Sequence, residues 1–444
     1  MFRKIVNILV AFLLVASIGT AQNVDRSKRP AAKKAKAITF PKFQRATLSN
    51  GLELIVIENK AFPLVTVYFT TRAGNFYEGD KTGASVLTSR LHTKGTTTKT
   101  AMEIAGEIDF LASTIYSGAS WDANYYSIES LKKNLNKTMD ILADCILNPA
   151  FSEEELQREV AQIVASYKRG KTDISELAEN ELMKTVFGTN TPYGTRVTEE
   201  NISKITTDDV KAFYKKYFVP NNTFCVVNGD ITLKEAVALL ESKLKDWKRG
   251  PEPQKDKIDM VFPTTPRIVV ANRDGAVQSA IRVGCVTLDR KNPDFLELGV
   301  VNTYLGGYFG SLLMQKLREE KSYTYGVNSG LDTRLFGGLF AIRTLVGTQF
   351  TEGAVEDILE EIKSLTTTPI SDEKFEALKS YIIGTFAMSL ETDVAVAGRI
   401  RELYLSGLPL DYYDRYVSSI QKMTKADFVR IAKKYFTNTY AQQA

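Results

Sequence analysis

One stretch of sequence occurs twice in this chain. Ile205-Thr-Thr-Asp-Asp-Val-Lys-Ala-Phe-Tyr-Lys-Lys-Tyr-Phe218 is echoed, with no gap, by Met423-Thr-Lys-Ala-Asp-Phe-Val-Arg-Ile-Ala-Lys-Lys-Tyr-Phe436. Each copy reads as a helix capped by threonine, because a Thr hydroxyl can accept from the free N–H groups of the first turn. Self-similarity at a fixed offset means two copies of one structural unit. The chain has 444 residues, enough for two such units. A break falls where a duplication needs one. Gly250-Pro-Glu-Pro-Gln-Lys-Asp-Lys257 is polar and proline-rich, with Pro263 and Pro266 after it.

The two halves also start alike. Asn50-Gly51 is a turn signal, and 52–57 and 64–72 are β-branched, apolar runs. Helical patterns are expected at 84–94, 101–112, 130–147, 152–169, 206–217 and 233–247. A strand pair falls near 115–128, with another strand at 224–228. The second half repeats the plan: strands near 267–272 and 279–288, a helix near 293–304, strands near 323–331 and 337–346, then helices from about 352. Strands and helices alternate in blocks. That predicts an α+β fold of two homologous domains, each a mostly antiparallel sheet packed with helices. The expected boundaries are 43–249 and 267–444, with a linker at 250–266.

The N-terminus reads as an address. Arg3 and Lys4 precede a mostly apolar run from Ile5 to Ile18, and Gly19-Thr20-Ala21 supplies small residues for cleavage. This pattern predicts a secretory signal over 1–21, cut after Ala21, and a periplasmic destination. The run is too short for a membrane span, and no later apolar run reaches the required length, so no transmembrane anchor is expected in the mature chain. The formal charge is +5, yet the segment up to Ala37 alone holds +7, which leaves the rest at −2. The basic residues of 22–42 therefore read as a solvated, disordered leader, and a nucleic-acid-binding domain is excluded. Cys145, Cys225 and Cys285 lack metal-ligand spacing and read as small buried hydrophobes.

Two motifs carry chemistry. Gly306-Gly-Tyr-Phe-Gly-Ser-Leu-Leu-Met-Gln-Lys-Leu-Arg-Glu-Glu-Lys-Ser-Tyr-Thr-Tyr-Gly-Val327 resembles the C-terminal-domain signature of the pitrilysin/insulinase-type zinc peptidases, which include the mitochondrial processing peptidases. Gly83-Ala-Ser-Val-Leu-Thr-Ser-Arg-Leu-His-Thr-Lys-Gly-Thr96 resembles the family's G-x-A-H-x-x-E-H-x-x-x-K-G-T. The similarity spans nearly the whole mature chain, duplication included.

The departures are concentrated where the family holds its metal. Anchored on Lys94-Gly95-Thr96, the resemblance puts the two zinc histidines at Val86 and Arg90, the general-base glutamate at Ser89 and the third ligand at Ser166. Catalytic zinc takes three protein ligands and keeps one position open for water, whose lowered pKa makes the nucleophile. Valine has no lone pair, serine is a poor carboxylate, and a cation at Arg90 repels Zn²⁺. No metal or other cofactor is therefore expected in this chain. The single histidine, His92, falls just past the second ligand position and reads as a structural or surface residue.

The other part of the family's centre is kept. The resemblance implies that Arg318 and Tyr325, at the family's spacing, reach a peptide at the zinc domain and hold the charge that develops at the scissile carbonyl. It also implies a peptide-docking edge strand near Ile115–Trp121, with Tyr116-Ser117 where the family has Asn-Ala. The first reading is thus a non-catalytic, substrate-gripping subunit of a heteromeric secreted zinc metalloendopeptidase. Its partner would be a homologous zinc-bearing peptidase chain, and its ligand a peptide. The alternative is a catalytically dead peptide-binding or scaffold protein of the same family.

Overall fold

The computed structural model describes residues 37–251, 253, 262 and 265–437. The expected signal segment, most of the basic leader, most of the linker and the C-terminal tail from 438 onward lie outside the described residues. The body begins at Phe40.

The first half is built on six strands: β1 (Gln44–Thr47), β2 (Glu53–Glu58), β3 (Leu64–Thr71), β4 (Thr114–Ala119), β5 (Asn124–Leu131) and β6 (Thr223–Gly229). Their order is β1-β2-β6-β3-β5-β4, antiparallel except where β6 runs parallel to β2. β6 lies between β2 and β3 and is buried along its whole length, which explains its unbroken apolar Phe224-Cys-Val-Val227 run. Around the sheet lie α1 (Ala84–Leu91), α2 (Ala101–Phe110), α3 (Leu135–Leu147), α4 (Glu153–Gly170), α5 (Ile174–Phe187), α6 (Thr207–Tyr217) and α7 (Leu233–Leu244). Leu54, Val56, Val67 and Phe69 from the sheet meet Leu87, Leu91, Met139 and Leu142 from the helices in one core.

The second half has three described strands, β7 (Gln278–Thr287), β8 (Val327–Asp332) and β9 (Gly338–Gly347), in the order β7-β9-β8, all antiparallel. Its helices are α8 (Phe295–Asn302), α9 (Thr351–Thr367), α10 (Asp372–Met388), α11 (Asp393–Ser406), α12 (Tyr412–Lys422) and α13 (Lys425–Ala432). The fold is α+β, as expected. The repeat survives at atomic detail. Thr206 caps α6 and exchanges hydrogen bonds with Asp209, and Thr424 caps α13 in the same way with Asp427. All three cysteines are buried.

Two expectations fail. Residues 266–273 form no strand, and Ile268 and Val270 are 89% and 83% exposed. In the first half the matching strand, β2, is held by β1 on one side and β6 on the other. Among the described residues no strand pairs with 267–272, so its β-branched side chains have no pleated surface to join. The strand expected at 323–331 starts only at Val327. The helix α5 was not anticipated at all.

The halves are joined reciprocally. α5 of the first half packs on β7 of the second, and α11 of the second packs on β6 of the first. The two helices are equal in length and hold corresponding places in the two copies. On one side Glu179 of α5 accepts from Arg343 Nε and Nη2 at 3.0 and 2.9 Å and from Arg282 Nε at 3.2 Å. On the other, Asn228 Nδ2 donates to the Asp393 carbonyl at 2.9 Å. Between them Arg334 enters a cage of Trp121, Phe187 and Tyr193, its guanidinium carbon 4.8, 4.9 and 4.9 Å from the three ring centres.

Candidate functional site

The helix that would carry two zinc ligands is α1, and its start is exacting. Gly83 sits at φ +103°, and a Cβ there would lie 2.3 Å from Ile202 Cδ1, so only glycine fits. The free N–H groups of the first turn are taken by Glu78, whose carboxylate accepts from Gly83 N and Ser85 N at 2.9 Å each. Burial raises that carboxyl to about pKa 7 against the pull of these bonds.

Along α1, Val86 is half-buried and Ser89 is buried. The Ser89 hydroxyl donates to the Val86 carbonyl at 3.0 Å, a bond within its own helix. Arg90 follows, and its Nη1 lies 3.1 Å from Glu159 Oε2 on α4. Lys94 adds a second cation at 3.8 Å from Glu159 Oε1. The Glu159 side chain is 4% exposed and the Arg90 side chain 43%. Ser166, further along α4, faces solvent. The structure therefore brings α1 and α4 together, but an ion pair stands at their contact. Glu159 was missed from sequence because it belongs to no motif. Its only signal was that it lies about two helical turns before Ser166, on the same face of α4.

Zinc does not fit this arrangement. Among the described residues no three His, Cys, Asp or Glu side chains come together in a way that could hold a metal ion. The one carboxylate at the contact is already committed to two cations. His92 is no ligand in waiting. It is 1% exposed, its Nδ1 lies 2.7 Å from the Tyr126 hydroxyl, and Tyr126, Phe151, Tyr214 and Phe218 surround its ring. Burial lowers its pKa to about 3, so it is neutral. The structure thus places it in the core rather than at the surface.

β4 is the last strand of its sheet, so its outer edge is free among the described residues. Tyr116 on β4 is 59% exposed and stacks on Tyr125 at 6.0 Å. Immediately past β4 opens a cavity of about 240 Å³, walled by Glu78, Trp121, Tyr167, Glu176, Asn180 and Arg196. The cavity shares the α4 residue Tyr167 and the α1-capping Glu78 with this region, but none of Val86, Ser89, Arg90, Glu159 and Ser166 lines it. It holds aromatic faces, a cation stacked 5.4 Å from Trp121 and two carboxylates. Such a mixture suits a peptide more than an apolar ligand.

Arg318 and Tyr325 belong to the second half. Arg318 lies in a π-helical segment, Met314–Glu320, with its guanidinium 4.7 Å from the Phe309 ring centre and its Nε 3.4 Å from Glu319 Oε1. Tyr325 lies in the loop before β8 and is 94% exposed. Phe309 is 60% exposed, so it and Arg318 present a polar and aromatic patch.

Comparison with known proteins agrees with this fold. The family model "Insulinase (Peptidase family M16)" matches residues 54–199, and "Peptidase M16 inactive domain" matches 204–382. A Bacillus subtilis protein described as "Uncharacterized zinc protease YmxG" is 23% identical over 403 residues, covering 90% of this chain and 97% of that protein. A Helicobacter pylori protein described as "Non-peptidase homolog YmxG" is 22% identical, covering 92% and 94%. Among solved structures, a peptidase M16 inactive domain from Pseudomonas fluorescens superposes with a TM-score of 0.82 at 22% identity, covering 90% of this chain and 96% of that one. A protease from Helicobacter pylori gives 0.83 at 22% identity, covering 90% and 98%. Two-domain α+β architecture with an altered α1–α4 centre defines a peptidase-like protein without the peptidase's metal ligands. The chain belongs to the insulinase family of peptidases, family M16.

Proposed function

We propose that this chain is a catalytically inert member of the insulinase family that binds peptides and does not cut them. The Arg90–Glu159 ion pair carries this reading. It puts a cation where the family's resemblance requires a zinc ligand, and it occupies the carboxylate nearest that position. What remains is a β4 edge unpaired among the described residues and, lined by Trp121 just past that strand, a polar, aromatic cavity. A peptide can add to such an edge through main-chain hydrogen bonds, with side-chain preference set by the cavity beyond it. The test is fluorescence anisotropy with labelled, mixed-sequence peptides, followed by mass spectrometry of the same samples. Saturable binding with every peptide intact supports the reading. Chelator-sensitive cleavage, or no binding to any peptide, contradicts it.

A second reading adds a partner. The chain would sit beside a homologous, zinc-bearing peptidase chain and lend it Arg318 and Tyr325, so that zinc is a cofactor of the partner alone. The exposure of Tyr325 favours this, because a ring 94% exposed has its hydroxyl free for another molecule. Donors aimed at a developing oxyanion are worth about 10²–10³ in rate each. In a reconstituted pair, Arg318→Ala and Tyr325→Phe are expected to lower kcat and raise KM with assembly and zinc content unchanged. Unaltered kinetics in an intact pair would leave the inert, peptide-binding reading alone. The N-terminal pattern adds secretion to the periplasm to this proposal. Among the described residues no helix is long and apolar enough to cross a membrane.

A further inference from the structure

The reciprocal seam is not symmetric in chemistry. Where α5 covers the second-half sheet it presents Leu182, which is 8% exposed and packs over Gly284. Leu182 is the ninth residue of α5, and the ninth residue of α11 is Arg401, which meets the first-half sheet. Its guanidinium lies 5.3 and 5.2 Å from the Tyr68 and Tyr125 ring centres, and its Nε donates to the Thr70 hydroxyl at 3.2 Å. Among the described residues no carboxylate forms an ion pair with it.

A second cation close by is also short of acceptors. Arg334 is 8% exposed, and its buried Nε and Nη1 have no hydrogen-bond acceptor among the described residues. Both arginines line one cavity of about 280 Å³, which also carries the hydroxyl residues Thr70, Thr333 and Ser406. The two acids on its wall are spent elsewhere. Glu402 is held by Arg290 at 2.6 Å and by the Tyr413 hydroxyl. Asp122 accepts from the Tyr193 hydroxyl at 3.1 Å and from Leu335 N at 3.2 Å. Burial, moreover, holds the Asp122 carboxyl above its ordinary range.

Taking a cation out of water is costly unless something offsets it. Aromatic faces offset part of the cost. The remainder calls for an anion with several acceptor oxygens. We propose that this cavity, between α11 and the first-half sheet, is a binding site for a small oxyanion, a phosphate or a carboxylate, held by Arg401 and the neighbouring hydroxyls in the positive field of Arg334. The occupant would touch both halves, because Thr70 belongs to β3 while Thr333, Arg401 and Ser406 belong to the second half. It would therefore act as a brace across the seam.

The full chain is titrated with sodium phosphate, and separately with sodium citrate and acetate, while its thermal unfolding is followed. Sodium chloride at matched ionic strength is the reference. The expected result is a saturable rise of Tm, about 3 °C at ~100-fold excess over Kd, with phosphate or with a carboxylate but not with chloride. Which arm responds identifies the source of the oxyanion. Arg401→Leu installs the residue found at the matching point of α5, so it is expected to fold, and it should lose the response. Should that variant fail to fold, calorimetric titration of the unaltered chain decides, with one anion bound per chain expected. The proposal is overturned if the unaltered chain shows no saturable response beyond ionic strength, or if Arg401→Leu responds equally.

Discussion

Arg90 and Glu159 form an ion pair where the family resemblance expects a metal centre. A buried carboxylate needs a positive partner, and a zinc ion or a guanidinium can each supply it. With Arg90 present the carboxylate is satisfied at 3.1 Å, and nothing forces the fold around it to change. The resemblance puts the family's ligand positions at Val86, Ser89 and Arg90 through the flanking Lys94-Gly95-Thr96, and the quadruple variant below tests that register. The identity of Arg90's partner was not legible in the sequence, because contact between α1 and α4 depends on how two helices cross rather than on any local spacing. His92 makes the sharpest prediction at this scale. Burial lowers its folded pKa to about 3, against about 6.5 in an unfolded chain. Between these values the unfolded chain binds a proton that the folded chain refuses. Stability from this residue is therefore complete above about pH 6.5 and falls as the pH drops towards 3. The chain has one histidine, so an untagged sample should show a single imidazole resonance at the neutral shift from about pH 8 down to about pH 5. A midpoint near the ordinary histidine value would place the ring in water and contradict the packing described.

Elements were legible in proportion to how locally they are determined. The threonine caps of α6 and α13 could be read directly, since each cap and its partner lie within one helical turn. β6 could be read from an unbroken apolar run. The segment 267–272 has as strong a β composition as β2 yet forms no strand, because a strand is made by its neighbours. α5 escaped notice because it buries only a narrow stripe, Leu182, Met183, Val186 and Phe187, among polar residues, and its target is the other half's sheet. The placement of α1 against α4 permits an element-level test. Val86→His, Ser89→Glu, Arg90→His and Ser166→Glu together restore the ligand types to their helices. The quadruple variant is expected to bind zinc that the parent does not, as read by metal analysis after dialysis. It should also lose about 1–3 kcal/mol of stability, because Glu159 then keeps only Lys94 as a partner. A folded variant that takes up no more zinc than the parent would show that these four positions do not face a common point.

At the scale of the whole molecule, the duplication shows in how the two halves are joined. Each half lends one helix to cover the other's sheet, so neither sheet is complete alone. Glu179 and its two arginines fasten one side of the seam, and the Asp393 end of α11 fastens the other. The first half has a β4 edge unpaired among the described residues and a polar cavity, and the second has a half-exposed Arg318 and an exposed Tyr325. The duplication itself was legible from the repeated segment at 205–218 and 423–436, but the exchange of helices was not, because nothing in α5 or α11 names the sheet it will cover. The central claim is that this architecture no longer holds catalytic zinc. Its most direct test is to expose the purified full chain to excess zinc, dialyse it, and measure bound metal alongside cleavage of a mixed peptide library, with and without chelator. The expected result is far less than one zinc per chain and no chelator-sensitive cleavage. One tightly held zinc per chain, with cleavage that a chelator abolishes, would contradict it.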